Sequence, residues 1–223
     1  MPDIIVGEIE DRIIRGELKA GQTLPSEREL SELFGVGKYT VREALRMLEA
    51  SGLIKVKQGS KRGPIITTPS NHLISDFLRK ALFISKVSIR HIIQFRLALE
   101  LSIIEILGEK LDKKWLSRIE DNVSRAKRLH RNSSDIIENS SEFHILLARA
   151  TENPMFVVLM NTLMSNSMVI DLVAPLKHKL ESPTIQHHQR ILNAIKAGNP
   201  EQARAIMQRH LLEIDEVWKR HAT

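Results

Sequence analysis

No cysteine occurs anywhere in the 223-residue chain. That absence excludes a disulfide framework, a zinc finger and a thiol nucleophile, and it leaves any bound metal to histidine, carboxylate or water. Glycine and proline number only 10 and 8, while 42% of residues are hydrophobic and 27% charged, so the chain is neither fibrous nor disordered but has the apolar content of a globular core. No run of about 18 apolar residues is present to span a membrane. Met1–Gly7 mixes apolar and acidic side chains, unlike a secretory signal, and a cytoplasmic protein is expected. Length alone admits one large or two modest domains. The net charge of +6 is mild, yet its distribution is uneven. Between Lys38 and Arg62 the basic residues Lys38, Arg42, Arg46, Lys55, Lys57, Lys61 and Arg62 face only Glu43 and Glu49. A local basic patch of this kind points to a polyanionic partner.

Two regimes follow one another along the chain, with the change near Gly63–Ser70, where GPIITTPS combines a short β-branched run with two prolines. The boundary is placed there, giving domains 1–69 and 70–223. In the first, Ile4, Ile5, Ile9, Ile13 and Ile14 recur at helical spacing and Gly16 stops the helix at about Arg15. Ser26 precedes Glu29 by three residues, a capping-box signature opening a second helix that Gly35 ends. A third helix is expected over Lys38–Ala50, with Val41, Ala44, Leu45 and Leu48 turned to a core and Gly52 closing it. Strands Leu53–Lys57 and Pro64–Thr67 then flank an exposed turn, Gln58–Gly63. After Ser70 the period is helical to the end, with breaks at Ser88, Asp112, Asn153-Pro154, Ser182-Pro183 and Gly198-Asn199-Pro200. The fold class expected is mainly α: a winged helix-turn-helix with a small β-hairpin wing, then an antiparallel all-α bundle of six or seven helices.

A helix lying in the DNA major groove needs long hydrogen-bond donors near its N-terminus, and Lys38, Thr40 and Arg42 occupy the first turns of the third helix. Arg28, early in the second helix, is placed to cross a backbone phosphate, and Gly59 at the wing tip admits close approach to the minor groove. Arg46 either extends this set or pairs with Glu43 or Glu49. The run GELKAGQTLPSERELSELFGVGKYTVREALRMLEASGLIKVKQG resembles the DNA-binding domain of the GntR superfamily of transcription regulators, with PSEREL, VREAL, a leucine-rich turn and a wing glycine in order and without gaps. The resemblance implies contacts to double-stranded operator DNA from Arg28, Lys38, Arg42 and Gly59. This chain departs from the pattern at Gly37 and Lys38, where the family commonly has Ser and then Arg. Glycine still caps a helix, but lysine lacks the two-pronged fork that grips guanine.

Of nine histidines, His72, His91, His130, His178 and His221 lie among polar neighbours or near helix ends and read as solvated surface. Three stand in apolar helical contexts on different helices: His144 in EFHILLARA, His188 in HHQRILNAI and His210 in IMQRHLLEI. Imidazoles converging from facing helices build metal sites in bundles, although spacing alone does not show convergence. The segments FHILLARATENPMF, HHQRILNAIKAGNPEQARAIMQRHL and FRLALE resemble the FCD ligand-binding domain of the FadR-type subgroup. In its metal-binding members an Asp one turn before the first of these histidines joins three imidazoles around a divalent ion. His144, His188 and His210 match the imidazoles, but the Asp position is Ser140, so an ion such as zinc or nickel would rest on three histidines and water, or be replaced by an organic effector bonded directly to them. Arg96 matches an arginine that faces the effector pocket and suits a carboxylate; the alternative is a structural pair with Glu100, four residues on. Ser140 and Asn166, with Ser165, are further candidate lining residues. Met155, Met160, Met164 and Met168 read as core packing.

The expectation is a transcription regulator, by family habit a repressor, controlled by a small carboxylate metabolite. A homodimer is expected because one winged domain covers too little DNA, and a two-fold dimer matches a palindromic site. The alternatives are a metal-dependent hydrolase built on the histidines, and an architectural DNA-binding protein without effector.

Overall fold

The computed structural model describes residues 1–56, 63–68, 71–129, 136–164 and 177–221. Residue contacts divide the chain into two compact units, Met1–Ile74 and Ser75–Thr223, each with its own core.

The first unit holds α1 (Pro2–Ile14), α2 (Glu27–Phe34), α3 (Lys38–Ala50), β1 (Ile54–Lys55) and β2 (Ile65–Ile66). The capping box at the head of α2 is formed: the Ser26 hydroxyl accepts from the Glu29 N–H and the Glu29 carboxylate accepts from the Ser26 N–H at 2.7 Å. The Ser26 hydroxyl also donates to the Glu29 carboxylate at 2.7 Å, and this bond first, then the one from the Ser26 N–H, hold the Glu29 carboxyl below its ordinary pKa. Gly35 ends α2 in the left-handed region at φ 62°, a conformation that glycine adopts without steric cost and that turns the chain into α3. Val41, Ala44, Leu45 and Leu48 of α3 are buried against Ile5, Ile9, Leu24, Leu30, Ile54 and Ile66. Each of the larger of these contributes roughly 1.5–3 kcal/mol by leaving water. Of the isoleucines that recur at helical spacing, Ile4 and Ile14 are 63% and 80% exposed. The helix packs on α3 with one face only, and Ile5 and Ile9, one turn apart, occupy it.

The strands are shorter than the β-branched runs implied. Ile54 pairs with Ile66 and Lys55 with Ile65, but the next N–H, that of Val56, donates to Glu49 Oε1 at 2.8 Å, which ends the ladder at Lys55. The other edge of β2 is covered by Gly21–Leu24: the Gly21 N–H donates to Ile66 O, and the Leu24 N–H to Pro64 O, both at 2.8 Å. Gly63 must be glycine here, because a Cβ would stand 1.8 Å from the Leu24 carbonyl oxygen.

Seven helices are described in the rest of the chain: α4 (Asn71–Ile84), α5 (Ile89–Glu109), α6 (Lys113–Leu129), α7 (Ile136–Ala150), α8 (Pro154–Met164), α9 (Lys177–Lys196) and α10 (Pro200–His221). The ends at Ser88, Asp112, Asn153 and Gly198 agree with the sequence signals. Ser182-Pro183 is not an end, for α9 runs through it. Pro183 removes one hydrogen bond, but Leu180 and Ile185 on either side of it are buried, and that packing keeps the helix whole. Helices α6 and α7 are separate elements, the first ending at Leu129 and the second beginning at Ile136, a division the helical period did not mark. Among the described residues no helix is long and apolar enough to cross a membrane.

Helix α5 is central, with Ile89, Ile92, Ile93, Arg96, Leu99, Glu100, Ile103, Ile104 and Leu107 all buried on one stripe. It packs on α7 and α10, and α9 packs on α10, α6 and α7. The α5–α10 contact is close: a Cβ on Gly108 would lie 2.4 Å from Pro200 Cβ. Met160 and Met164 are buried as expected, whereas Met155, in the first turn of α8, is 63% exposed; Met168 lies outside the described residues.

Candidate DNA-reading surface and histidine pocket

On the helix-turn-helix, Lys38 stands exposed at the start of α3 beneath the uncapped Gly37, Thr40 is half-buried, and Arg28, Arg42 and Arg46 are exposed. Each arginine meets a carboxylate: Arg28 Nε lies 2.9 Å from Glu32, Arg42 Nε 2.9 Å from Glu27 and Arg46 Nη1 2.7 Å from Glu43. Arg46 thus takes Glu43 and not Glu49, which is engaged by the Val56 N–H. Between Lys38 and Thr40 stands Tyr39, 76% exposed, which the sequence reading passed over; an aromatic ring at the second residue of a polar helix start was the available signal. Gly59 lies outside the described residues, as do Ser165 and Asn166.

The second constellation is interior. His144 on α7, His188 on α9 and His210 on α10 are each 2% exposed, and one ring nitrogen from each lies within 4.8 Å of the others. His144 and His210 are near-parallel at 5.4 Å between centroids, and His188 stands edge-on to both at 5.0 Å. Phe143 stacks on the outer face of His188 at 3.9 Å and 12°. The reason for convergence is register: His144 shares the buried stripe of Ile136, Phe143 and Leu147, and His210 that of Ala203, Met207 and Leu211.

Arg96 and Glu100 sit one turn apart on α5, with Arg96 Nε 2.6 Å from Glu100 Oε1 and Glu100 Oε2 2.5 Å from His144 Nδ1. The structural pair that competed with an effector-facing Arg96 is therefore formed, yet Arg96 Nη2, His188 Nε2 and His210 Nε2 are buried with no hydrogen-bond partner among the described residues. Burial alone would raise the Glu100 pKa, but the Arg96 guanidinium and then His144 outweigh it and hold the carboxyl at about 2. Burial pushes His144 down against the pull of Glu100, and pushes His188 and His210 far down, helped by neighbouring imidazoles and Arg96. The three imidazoles are thus neutral. With Glu100 ionised, His144 Nδ1 carries the hydrogen and donates it, which leaves Nε2 with its lone pair.

Ser140 is half-buried one turn before His144, and the nearby Glu142 is turned elsewhere, accepting from Arg125 and from Asn122 Nδ2. Two residues the sequence reading did not single out are Glu100 as the partner of His144, and His187, 7% exposed with Nδ1 3.5 Å from Glu213. For Glu100 the signal was its register on a stripe that is aliphatic apart from Arg96. His91, read as surface, is exposed and closes a capping box with Ser88.

Residues 91–213 match the FCD domain family, and residues 3–61 match bacterial regulatory proteins, gntR family. The chain belongs to the GntR family of regulators with an FCD domain. It is 31% identical to HTH-type transcriptional regulator LutR of Bacillus subtilis, over 92% of this chain and 95% of that one. To HTH-type transcriptional repressor NanR of Cronobacter sakazakii it is 29% identical, over 98% and 85%. The solved structure of Streptococcus agalactiae GntR superposes with a TM-score of 0.71 at 24% identity, covering 96% of this chain and 98% of that one, and so shares the fold. This GntR-family chain is accordingly a DNA-binding transcription regulator, and the hydrolase reading of its histidines falls away.

Proposed function

We propose that this regulator is a cytoplasmic, homodimeric repressor in which residues 1–69 bind palindromic operator DNA and residues 70–223 bind a small organic acid that releases it. The observation that carries the effector half is the buried set of unpaired donors and lone pairs: Arg96 Nη2 beside three neutral imidazoles. A protein interior leaves such groups unsatisfied only at a cost of about 1–3 kcal/mol each, and a carboxylate satisfies the guanidinium with a charge-assisted bond. The name "repressor" carried by the NanR relative supports the sign of regulation.

The donor set also suits a divalent ion such as zinc or nickel. His144, His188 and His210 would hold it, and a bound ion would supply Lewis-acid attraction for a carboxylate oxygen. Glu100 orients the first ligand, and its charge is balanced by the Arg96 guanidinium. Acid and metal then bind cooperatively. On the DNA side Arg28, Lys38, Thr40, Arg42, Arg46 and Gly59 form the reading surface, with Lys38 contributing a point charge and Arg42 a fork.

The test is a panel of small carboxylates screened for thermal stabilisation with zinc, nickel or chelator, followed by binding to a selected DNA duplex. A ligand of the native state raises the unfolding midpoint. An acid that does so and weakens specific DNA binding is the expected result; no stabilisation by any acid, with or without metal, overturns the reading. Ser140→Asp adds a charged oxygen, so it should tighten zinc and weaken the acid, two shifts of opposite sign measured by calorimetry.

A further inference from the structure

Three guanidinia on the helix-turn-helix are tied to carboxylates, but the ties differ in kind. Arg28–Glu32 and Arg46–Glu43 each lie within one helix, four and three residues apart, and exposed pairs of that sort are weak and exchange freely. Arg42–Glu27 joins two helices. Glu27 is the first residue of α2 and Arg42 lies in the second turn of α3, with Nε 2.9 Å from Oε2. Both backbones are held: α2 by its capping box and by Leu30, 2% exposed, and α3 by Val41 and Leu45, 0% and 4% exposed. The carboxylate therefore reaches Arg42 from a fixed point outside its own helix.

A guanidinium has five donors in a rigid plane. Glu27 engages Nε, and no other partner of Arg42 is present among the described residues. The outer pair, Nη1 and Nη2, stays free as a two-pronged fork of the kind that reads guanine O6 and N7. In the first turn of α2 the helix dipole favours the Glu27 anion, but toward DNA the same charge is unfavourable. Over Ser26–Ala50 the carboxylates of Glu29, Glu32, Glu43 and Glu49 already equal the cations of Arg28, Lys38, Arg42 and Arg46 in number, so a further anion facing DNA lowers affinity for any sequence.

We propose that Glu27 is a positioning residue for sequence reading: it orients the Arg42 fork toward a base edge, at some expense of non-specific affinity. The proposal rests on the reading of Arg42 as a DNA contact and adds the group that aims it. Its signature is two effects of opposite sign. Removing the charge of Glu27 frees Arg42 to swing to phosphate, so binding to the preferred site weakens while binding to unrelated DNA stays level or tightens.

The experiment uses the full chain, a duplex of about 30 base pairs selected in vitro with the wild-type protein, and a scrambled duplex of equal composition, long enough for two half-sites. Glu27→Gln keeps the size of the side chain and removes its charge. The expected result is a fall of about tenfold in the ratio of selected to scrambled affinity, in the range of one bidentate base contact. Scrambled binding is unchanged or tighter, and the melting midpoint falls by no more than the few degrees that loss of a first-turn anion costs. Glu27→Asp should recover part of the ratio. Equal shifts on both duplexes, or an unchanged ratio, overturn the proposal. Arg42→Ala separates the two layers: a ratio lost in Arg42→Ala but kept in Glu27→Gln removes the positioning role alone, whereas a ratio kept in both removes Arg42 as a reader and the proposal with it.

Discussion

Replacing Glu100 by Gln tests the interior electrostatics most directly. Arg96 and Glu100 side chains are 8% and 2% exposed, so the guanidinium left behind cannot reach water without moving α5. The glutamine amide oxygen can still accept one hydrogen bond, from Arg96 Nε or from His144 Nδ1, but it brings no charge, and whichever donor it does not take joins the already unpartnered Nη2. Breaking a buried ion pair from one side typically costs about 3–5 kcal/mol; the retained amide places Glu100→Gln at the lower end, about 3 kcal/mol. At about 2–4 °C per kcal/mol for a chain of this size, the midpoint falls by roughly 6–12 °C. Denaturant unfolding followed by helical circular dichroism, with chelator present, gives the number. The double replacement Arg96→Met with Glu100→Leu, which removes both charges and keeps volume, should lose less than the single change. A loss under about 1 kcal/mol for Glu100→Gln, or a double variant no better than the single one, refutes the claim that Glu100 neutralises a buried guanidinium.

Three further outcomes are expected. Ser26→Ala removes the side-chain half of the α2 capping box and should cost about 1 kcal/mol in urea unfolding. Gly108→Ala forces a Cβ to 2.4 Å from Pro200 Cβ, and a loss of about 1–3 kcal/mol from overpacking is expected at the α5–α10 contact; full wild-type stability would show that the two helices shift apart freely. With chelator present, stability should decline as pH falls below the ordinary histidine value of 6.5. Burial holds these imidazoles neutral in the folded chain and unfolding releases them to take protons, so their contribution is complete above that value and drains away below it; a flat stability profile from pH 7 to 5.5 contradicts this.

The order of elements was written in local chemistry. Ser26–Glu29, Gly35 and the Val41–Leu48 stripe mark the helix-turn-helix because capping and amphipathic period act within a few residues. The three histidines were likewise visible as lone imidazoles on apolar helices, and the family resemblance named them as a set. Tertiary structure alone decided what each polar group meets. That Arg96 takes Glu100, one of the two alternatives its spacing offered, was settled by burial, while the Glu100–His144 bond and the engagement of Arg42 by Glu27 rather than a neighbour on α3 are contacts between helices, set by packing register. The same holds elsewhere: Pro183 reads as a stop until the burial of Leu180 and Ile185 is known, and the helical spacing of Ile4, Ile5, Ile9, Ile13 and Ile14 does not say which of them are covered until α1 is seen to pack on α3. Sequence period says which residues share a face; only the partner surface says whether that face is covered.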